Sequence, residues 1–190
     1  TGNDLAEKGY RSSSLHEGQV NFLMAYDVND GAPLLSRAFE GGNLDKVSVK
    51  DVLSREELHD MLVIMDSGFY SAENVEALTS HNNSYIIPLH RRIKGCMDAV
   101  ANLHVDGRFV YQKDRKASVI EYSVSLDAPG RRIIAYRDLN MAALKQSNYL
   151  RYIEQERKSY TRERFEEMKE LFGVIVLQTS LDVSDEEVYR

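Results

Sequence analysis

Apolar runs of strand length, each cut off by a turn-forming cluster, set the pattern of this chain and leave few folds open to it. Gln19–Asp27 (QVNFLMAYD) is mostly apolar and fits a buried strand. Asn29-Asp30-Gly31 signals a turn into a second run, Pro33–Glu40, so the two read as a hairpin. Gly41-Gly42-Asn43 breaks the pattern. Val47–Asp60 then places Val49, Val52, Leu53 and Leu58 near helical spacing, and Met61–Met65 returns to a buried strand. After Asp66-Ser67-Gly68, Ser71 can cap a helix running to about His81 with Val75 and Leu78 inward, and Tyr85–Leu89 is a further strand. Such alternation points to the α/β class.

The second half has another rhythm. Phe109–Tyr111, Ser118–Leu126 and Arg131–Tyr136 read as short strands, the last two joined by the turn Asp127-Ala128-Pro129-Gly130. A long charged helix is expected over Asn140–Phe172, with Leu144, Leu150, Ile153, Phe165, Met168 and Leu171 as its intermittent apolar face. Gly173 stops it, Val174–Thr179 is a buried strand, and Ser184 with Glu187 forms a capping box. The expected organisation is a core in residues 1–91, an insertion of β-hairpin and long helix in 92–172, and a return to the core in 173–190. Arg190 follows the capping box by less than two turns, and the expectation is that the chain is cut within a helix.

Composition narrows the classes. The 43% apolar and 28% charged content with three prolines excludes collagen-like and disordered chains. No stretch approaches the roughly 18 apolar residues of a membrane span, and the start, TGNDLAEKGY, lacks a signal-peptide pattern, so the expectation is a cytoplasmic protein without membrane contact. The single cysteine, Cys96, excludes an internal disulfide. The net charge of −6 conceals a basic middle: residues 1–88 sum to −8, residues 89–170 to +5 and residues 171–190 to −3. A basic segment between acidic flanks can follow a phosphate backbone.

The stretch richest in chemistry is Leu62–Glu73 (LVIMDSGFYSAE), in which a strand delivers Asp66 to its carboxyl end beside a small-residue turn. In open α/β sheets that edge binds ligands; an aspartate there can equally cap the turn with its own side chain. Leu5–Tyr10 (LAEKGY), the strand-turn-strand containing Gly31 and Pro33, Phe39–Asp45 (FEGGNLD) and Leu62–Asn74 (LVIMDSGFYSAEN) occur in an order and spacing that resembles the insertion-sequence DDE transposase family. The resemblance covers about residues 5–90, and beyond them it rests on element order.

It implies a ribonuclease-H-like mixed sheet flanked by helices, and a parent protein that cleaves and joins double-stranded DNA at transposon ends. It also allows a homodimer in the full-length protein. In that family three carboxylates hold two divalent cations, Mg²⁺ or Mn²⁺, for phosphodiester displacement. Asp66 matches the second aspartate, as catalytic residue and metal ligand. The first would lie upstream of this chain, and Asp4 is misplaced for it. The glutamate belongs to the helix opened by Ser184, but Glu186 and Glu187 come too early in that helix to take the role. The 190-residue chain alone is therefore expected to be inactive and to hold no metal tightly. A metal ligand must keep an open oxygen, so Asp66 is expected at the end of a central strand with its carboxylate reaching solvent. A ribonuclease-H-like nuclease, or a noncatalytic DNA-binding or interaction module, are the other readings of the same residues.

For DNA contact the candidates are Arg91, Arg92 and Lys94, just past the Tyr85–Leu89 strand, and Lys113, Arg115 and Lys116, in a basic loop between strands. Tyr149, Tyr152 and Tyr160 interleave with Arg151, Arg157, Arg162 and Arg164 in a pattern that serves either stacking on bases or the packing of an amphipathic helix. His16, His59, His81 and His104 lack convergent spacing and read as surface residues. Gly41-Gly42 is a turn, since no Gly-Lys-Ser/Thr follows.

Overall fold

Side chains close the first hairpin before any packing is needed. The Asp27 carboxylate accepts the amide of Asn29 (2.8 Å), that of Asp30 accepts the amide of Ala32 (2.8 Å), and Gly31 takes a φ of 71°. This turn joins β2 (Gly18–Tyr26) to β3 (Pro33–Glu40) in antiparallel register, and a short β1 (Glu7–Lys8) pairs with the other side of β2. The computed structural model describes residues 7–8, 18–40, 49, 52–53 and 59–190. They divide into two units, one of Thr1–Met61 and Gly68–Asn83, the other of Leu62–Ser67 and Ser84–Arg190. LAEKGY apart from Glu7 and Lys8, Gly41-Gly42-Asn43, Leu58 and His16 lie outside the described residues.

In the first unit the expected buried strand is corrected. Val20, Phe22, Met24 and Tyr26 alternate on one exposed face, Phe22 at 61%. A two-residue period places those four side chains together, and apolar content does not say whether a second layer covers them. Val49, Val52 and Leu53 are helical, as expected, and buried. The Ser71 hydroxyl accepts the amide of Asn74 (3.1 Å) and opens α1 (Ala72–Ser80), whose Val75 and Leu78 are buried. The Asn74 side chain donates to the Phe69 carbonyl (2.8 Å), tying helix to preceding turn.

The second unit is built on a six-stranded mixed sheet. Its strands are β4 (Leu62–Ile64), β5 (Ser84–Pro88), β6 (Gly107–Lys113), β7 (Lys116–Ala128), β8 (Arg131–Asp138) and β9 (Val174–Thr179), in the order β4-β5-β9-β8-β7-β6. Only β4 and β5 run parallel; all other neighbours are antiparallel. The strands of the 92–172 segment are therefore hydrogen-bonded into the same sheet as β5 and β9. Asp127 pairs with Arg131 (3.0 Å) across the β7–β8 turn, where Gly130 takes a φ of 70°.

Two helices that the capping pattern and apolar spacing place differently cover the sheet. On one face Ile86, Phe109, Ile120, Ile134, Tyr136 and Leu177 form a core with Val188 of α5 (Asp185–Tyr189), the helix opened by the Ser184–Glu187 capping box. On the other, α2 (Lys94–Ala101) packs on β8 and β7, and at Gly95 it comes so near that an added Cβ would lie 2.8 Å from Ile133. No described helix is long and apolar enough to cross a membrane.

The single long helix expected over Asn140–Phe172 is also corrected. α3 (Leu139–Glu154) ends at a reversal in which Glu156 takes a φ of 53°; Thr161 then caps α4 (Arg162–Met168). A straight helix would separate residues 149 and 172 by about 35 Å, yet the Tyr149 and Phe172 rings stand 5.8 Å apart. The intermittent apolar face serves two helices folded back on each other, with Ile153, Tyr160, Phe165 and Met168 packed around Tyr149.

Gly173 ends this hairpin with a φ of 76°, and a Cβ there would collide with the Asp138 carbonyl and the backbone of Ala142. Gly173→Ala should therefore destabilise the chain by at least about 2 kcal/mol, the left-handed penalty plus a displaced α3 start, measured by urea denaturation.

Candidate functional site

Strand direction gathers the chemistry at one end of the sheet. The carboxyl ends of β4, β5, β6 and β8 and the amino ends of β7 and β9 share it. Pairing of β4 with β5 continues to Met65, whose amide donates to the Ile86 carbonyl (3.2 Å), and Asp66 follows at the start of a 3₁₀ turn, Ser67–Phe69. Its carboxylate is exposed and accepts the Ser67 hydroxyl at 3.4 Å. The residue reaches solvent as expected, but the expected central strand is corrected: β4 is the edge strand of the described sheet, and Leu62 and Ile64 are exposed. An apolar LVIM run reads the same at an edge as at the centre, because pairing partners distant in sequence decide which it is.

Beside Asp66 lies a cavity of about 560 Å³, lined by Ser67, by Leu89 and His90 beyond β5, by Cys96 and Met97 of α2, and by Val174 of β9 among others. Its wall is apolar, and Arg91 reaches its lining from the turn after β5. That turn is set by the Ile93 amide on the His90 carbonyl (2.9 Å) and the Arg92 amide on the His90 Nδ1 (3.2 Å). Arg91 and Arg92 are exposed there, and Lys94, also exposed, is the first residue of α2. Burial pushes the Cys96 thiol up in pKa, with the Arg91 charge opposing it, so the thiol lines the cavity as a small apolar group.

The second basic group stands elsewhere. Lys113, Arg115 and Lys116 are exposed in the tight β6–β7 turn, with Asp114 and Arg115 at φ 50° and 64°. In register, the level of Asp66 corresponds to Val124 on β7, eight residues from Lys116 and four strands from β4. That is about 26 Å along the strands and 19 Å across. The sheet brings Arg91 and Arg92 to Asp66 and leaves the turn apart.

Of the remaining candidates the tyrosines are drawn into packing, while Arg151, Arg157, Arg162 and Arg164 are exposed. Tyr149 is buried, and the Tyr152 ring meets that of Tyr160 at a tilt (centroids 4.8 Å) with the Arg157 guanidinium over Tyr152 (4.2 Å). Glu186 pairs with Arg190 (2.6 Å), and Glu187 is held below the usual carboxylate range by its hydrogen bonds from Ser184. His59 and His104 are exposed; the His81 ring meets the Ala77 carbonyl at 2.7 Å, at the end of α1. Sequence reasoning missed α2 and with it the cavity wall. The available signal was the spacing of Cys96, Ala99 and Val100, hidden by the basic turn before it.

Among the described residues no three His, Cys, Asp or Glu side chains are grouped for a metal. No family model matches the chain, and a search of curated proteins gives no match.

Two outcomes follow from this geometry. Magnesium titrated to millimolar concentration should give little heat in calorimetry, because a lone carboxylate leaves the cation in its water shell; tight stoichiometric binding would mean a complete ligand set within the chain. At about pH 8 an aromatic disulfide reagent should label Cys96 slowly in the native chain and fully after denaturation, since a raised pKa lowers the thiolate fraction and burial blocks access.

Proposed function

We propose that this chain is part of an insertion-sequence DDE transposase, with a ribonuclease-H-like sheet and Asp66 as one carboxylate of a magnesium- or manganese-dependent site. The observation that carries the reading is the exposed Asp66 at the carboxyl end of β4, next to the parallel β5 and followed by a turn and a capped helix. That is the sheet edge at which α/β folds bind ligands. Resemblance in Leu62–Asn74 supplies the family.

The donor type fits one ligand position of such a site: the Asp66 side chain offers hard carboxylate oxygens at an exposed position, as magnesium requires. Paired divalent cations, when bound, would activate the attacking oxygen and stabilise the leaving oxygen of a phosphodiester displacement. This reading assigns no other carboxylate of residues 1–190 to the site. Arg91 and Arg92, exposed at the same end of the sheet, hold the phosphates of the substrate strand by charge-assisted hydrogen bonds. In this reading the strand bearing the first aspartate would pair with β4, the last strand of the described sheet.

The test uses the protein encoded by the whole reading frame that contains this chain, on duplexes carrying the element's ends. Asp66→Asn should lower cleavage and joining at least about a thousandfold, some 4 kcal/mol of barrier, while duplex affinity stays within about twofold. Unchanged activity in the variant would overturn the assignment of Asp66. Cleavage without joining in the unaltered protein would favour a ribonuclease-H-like nuclease instead.

A further inference from the structure

We propose that the β6–β7 hairpin tip is a β-ribbon that enters the major groove of duplex DNA, an inference that rests on the DNA-processing reading above and adds a second, remote contact to it. β8 pairs with β7 only as far as Asp138 opposite Ile120, so four residue pairs of β6 and β7, Val110–Lys113 against Lys116–Val119, continue beyond it. That is about 13 Å of two-stranded ribbon.

The ribbon is held on both edges, at its base on the β6 side and one pair short of its tip on the β7 side. The Asn140 amide donates to the Ala117 carbonyl (2.8 Å) and the Arg190 guanidinium donates to the Val110 carbonyl (3.1 Å), lying about 6 Å over the rings of Phe109 and Tyr111. Beyond those anchors only the turn projects. Lys113 faces Lys116 directly across the last pair, an arrangement that repels itself in the isolated chain. Among the described residues Lys113, Arg115 and Lys116 form no ion pair. Arg115 occupies a left-handed position, φ 64°, that glycine fills at lower cost in such turns. A rigid arm that keeps three cations together, one of them against its backbone preference, matches a polyanion.

The groove follows from shape. A B-form major groove, about 12 Å wide, admits a two-stranded ribbon, whereas the A-form groove is too narrow. Exposed Gln112 and Arg115 are the side-chain types that read adenine and guanine edges, and Lys113 and Lys116 suit the flanking phosphates.

The experiment measures fluorescence anisotropy of the 190-residue chain on a duplex of about 20 base pairs, between about 50 and 200 mM salt. Lys113, Arg115 and Lys116 all changed to Glu should weaken binding at least about tenfold and flatten the log–log salt slope by up to about 2.7. Arg115→Gly should bind more weakly while melting at the same or a higher temperature, which separates contact from folding. A duplex whose major groove is filled by glucosylated hydroxymethylcytosine should bind at least about tenfold more weakly, as should an RNA duplex, and a minor-groove ligand should change little. Equal affinity for the filled or the RNA duplex overturns the groove docking and leaves the DNA reading standing. A triple variant that binds like the parent removes the hairpin from any contact. No binding to any duplex at the lowest salt overturns the DNA reading for this chain as well.

Discussion

Burial of β8 on both faces is the constraint around which the second unit is organised. Ile133, Ile134, Ala135 and Tyr136 are consecutive and all buried, so the strand has no solvent face and needs a layer on each side. Ile133 and Ala135 point to the side on which α2 packs, and Ile134 and Tyr136 to the side closed by α5. Tyr136 is fully buried with its hydroxyl on the Asp185 carbonyl (2.7 Å), and desolvation raises its pKa beyond the normal tyrosine range. The hydroxyl thus stays neutral and acts as a fixed donor, satisfying a carbonyl in the first turn of α5. Arg132, next to this patch, reaches Asp185 (2.5 Å) and the carbonyls of Leu181 and Val183 (each 2.8 Å). A short helix of five residues has little stability of its own; tyrosine, arginine and capping box together hold it on the sheet.

The same requirement shapes the candidate site. β9 lies between β5 and β8, so the burial of β8 fixes the neighbour of β5 and, through it, the position of β4. Gln178 strengthens that register: it is buried, its amide donates to Asp127 (2.9 Å), and the Tyr85 hydroxyl stands 3.5 Å from its carbonyl oxygen. A one-residue slip would turn Gln178 to the opposite face and strand those groups. The cavity beside Asp66 is then the space left where α2, packed against β8 and β7, meets the ends of β5 and β9. Apolar walls and a cationic turn at its mouth come from the packing of the sheet's centre.

Much of the local structure was legible because short-range chemistry specifies it. Ser71, Ser184 with Glu187, and the Asp27–Gly31 turn supply their own hydrogen bonds within three to five residues, and β3 and β9 have the bounds their apolar runs suggest. The long helix was misjudged for a related reason. Its apolar spacing is compatible with one helix or two, and only the contact of Tyr149 with Phe172, distant along the chain, selects the hairpin. Asp66 as an exposed carboxylate past a strand was legible, while the cavity beside it was not, because most of the lining comes from residues beyond 95.

The amino-acid sequence by itself determined the element types, the caps and turns, the α/β class and the two clusters of cations. Each depends on groups that meet within a few residues of one another. Tertiary structure alone decided that β4 is the last strand of the described sheet, that the strands after residue 107 join the same sheet, and that Asp66 stands beside the turn carrying Arg91, with Lys113 beyond four intervening strands and further along the strands. Strand order and register are chosen by which faces can be buried together, and that choice is made among residues tens of positions apart, where no local pattern records it.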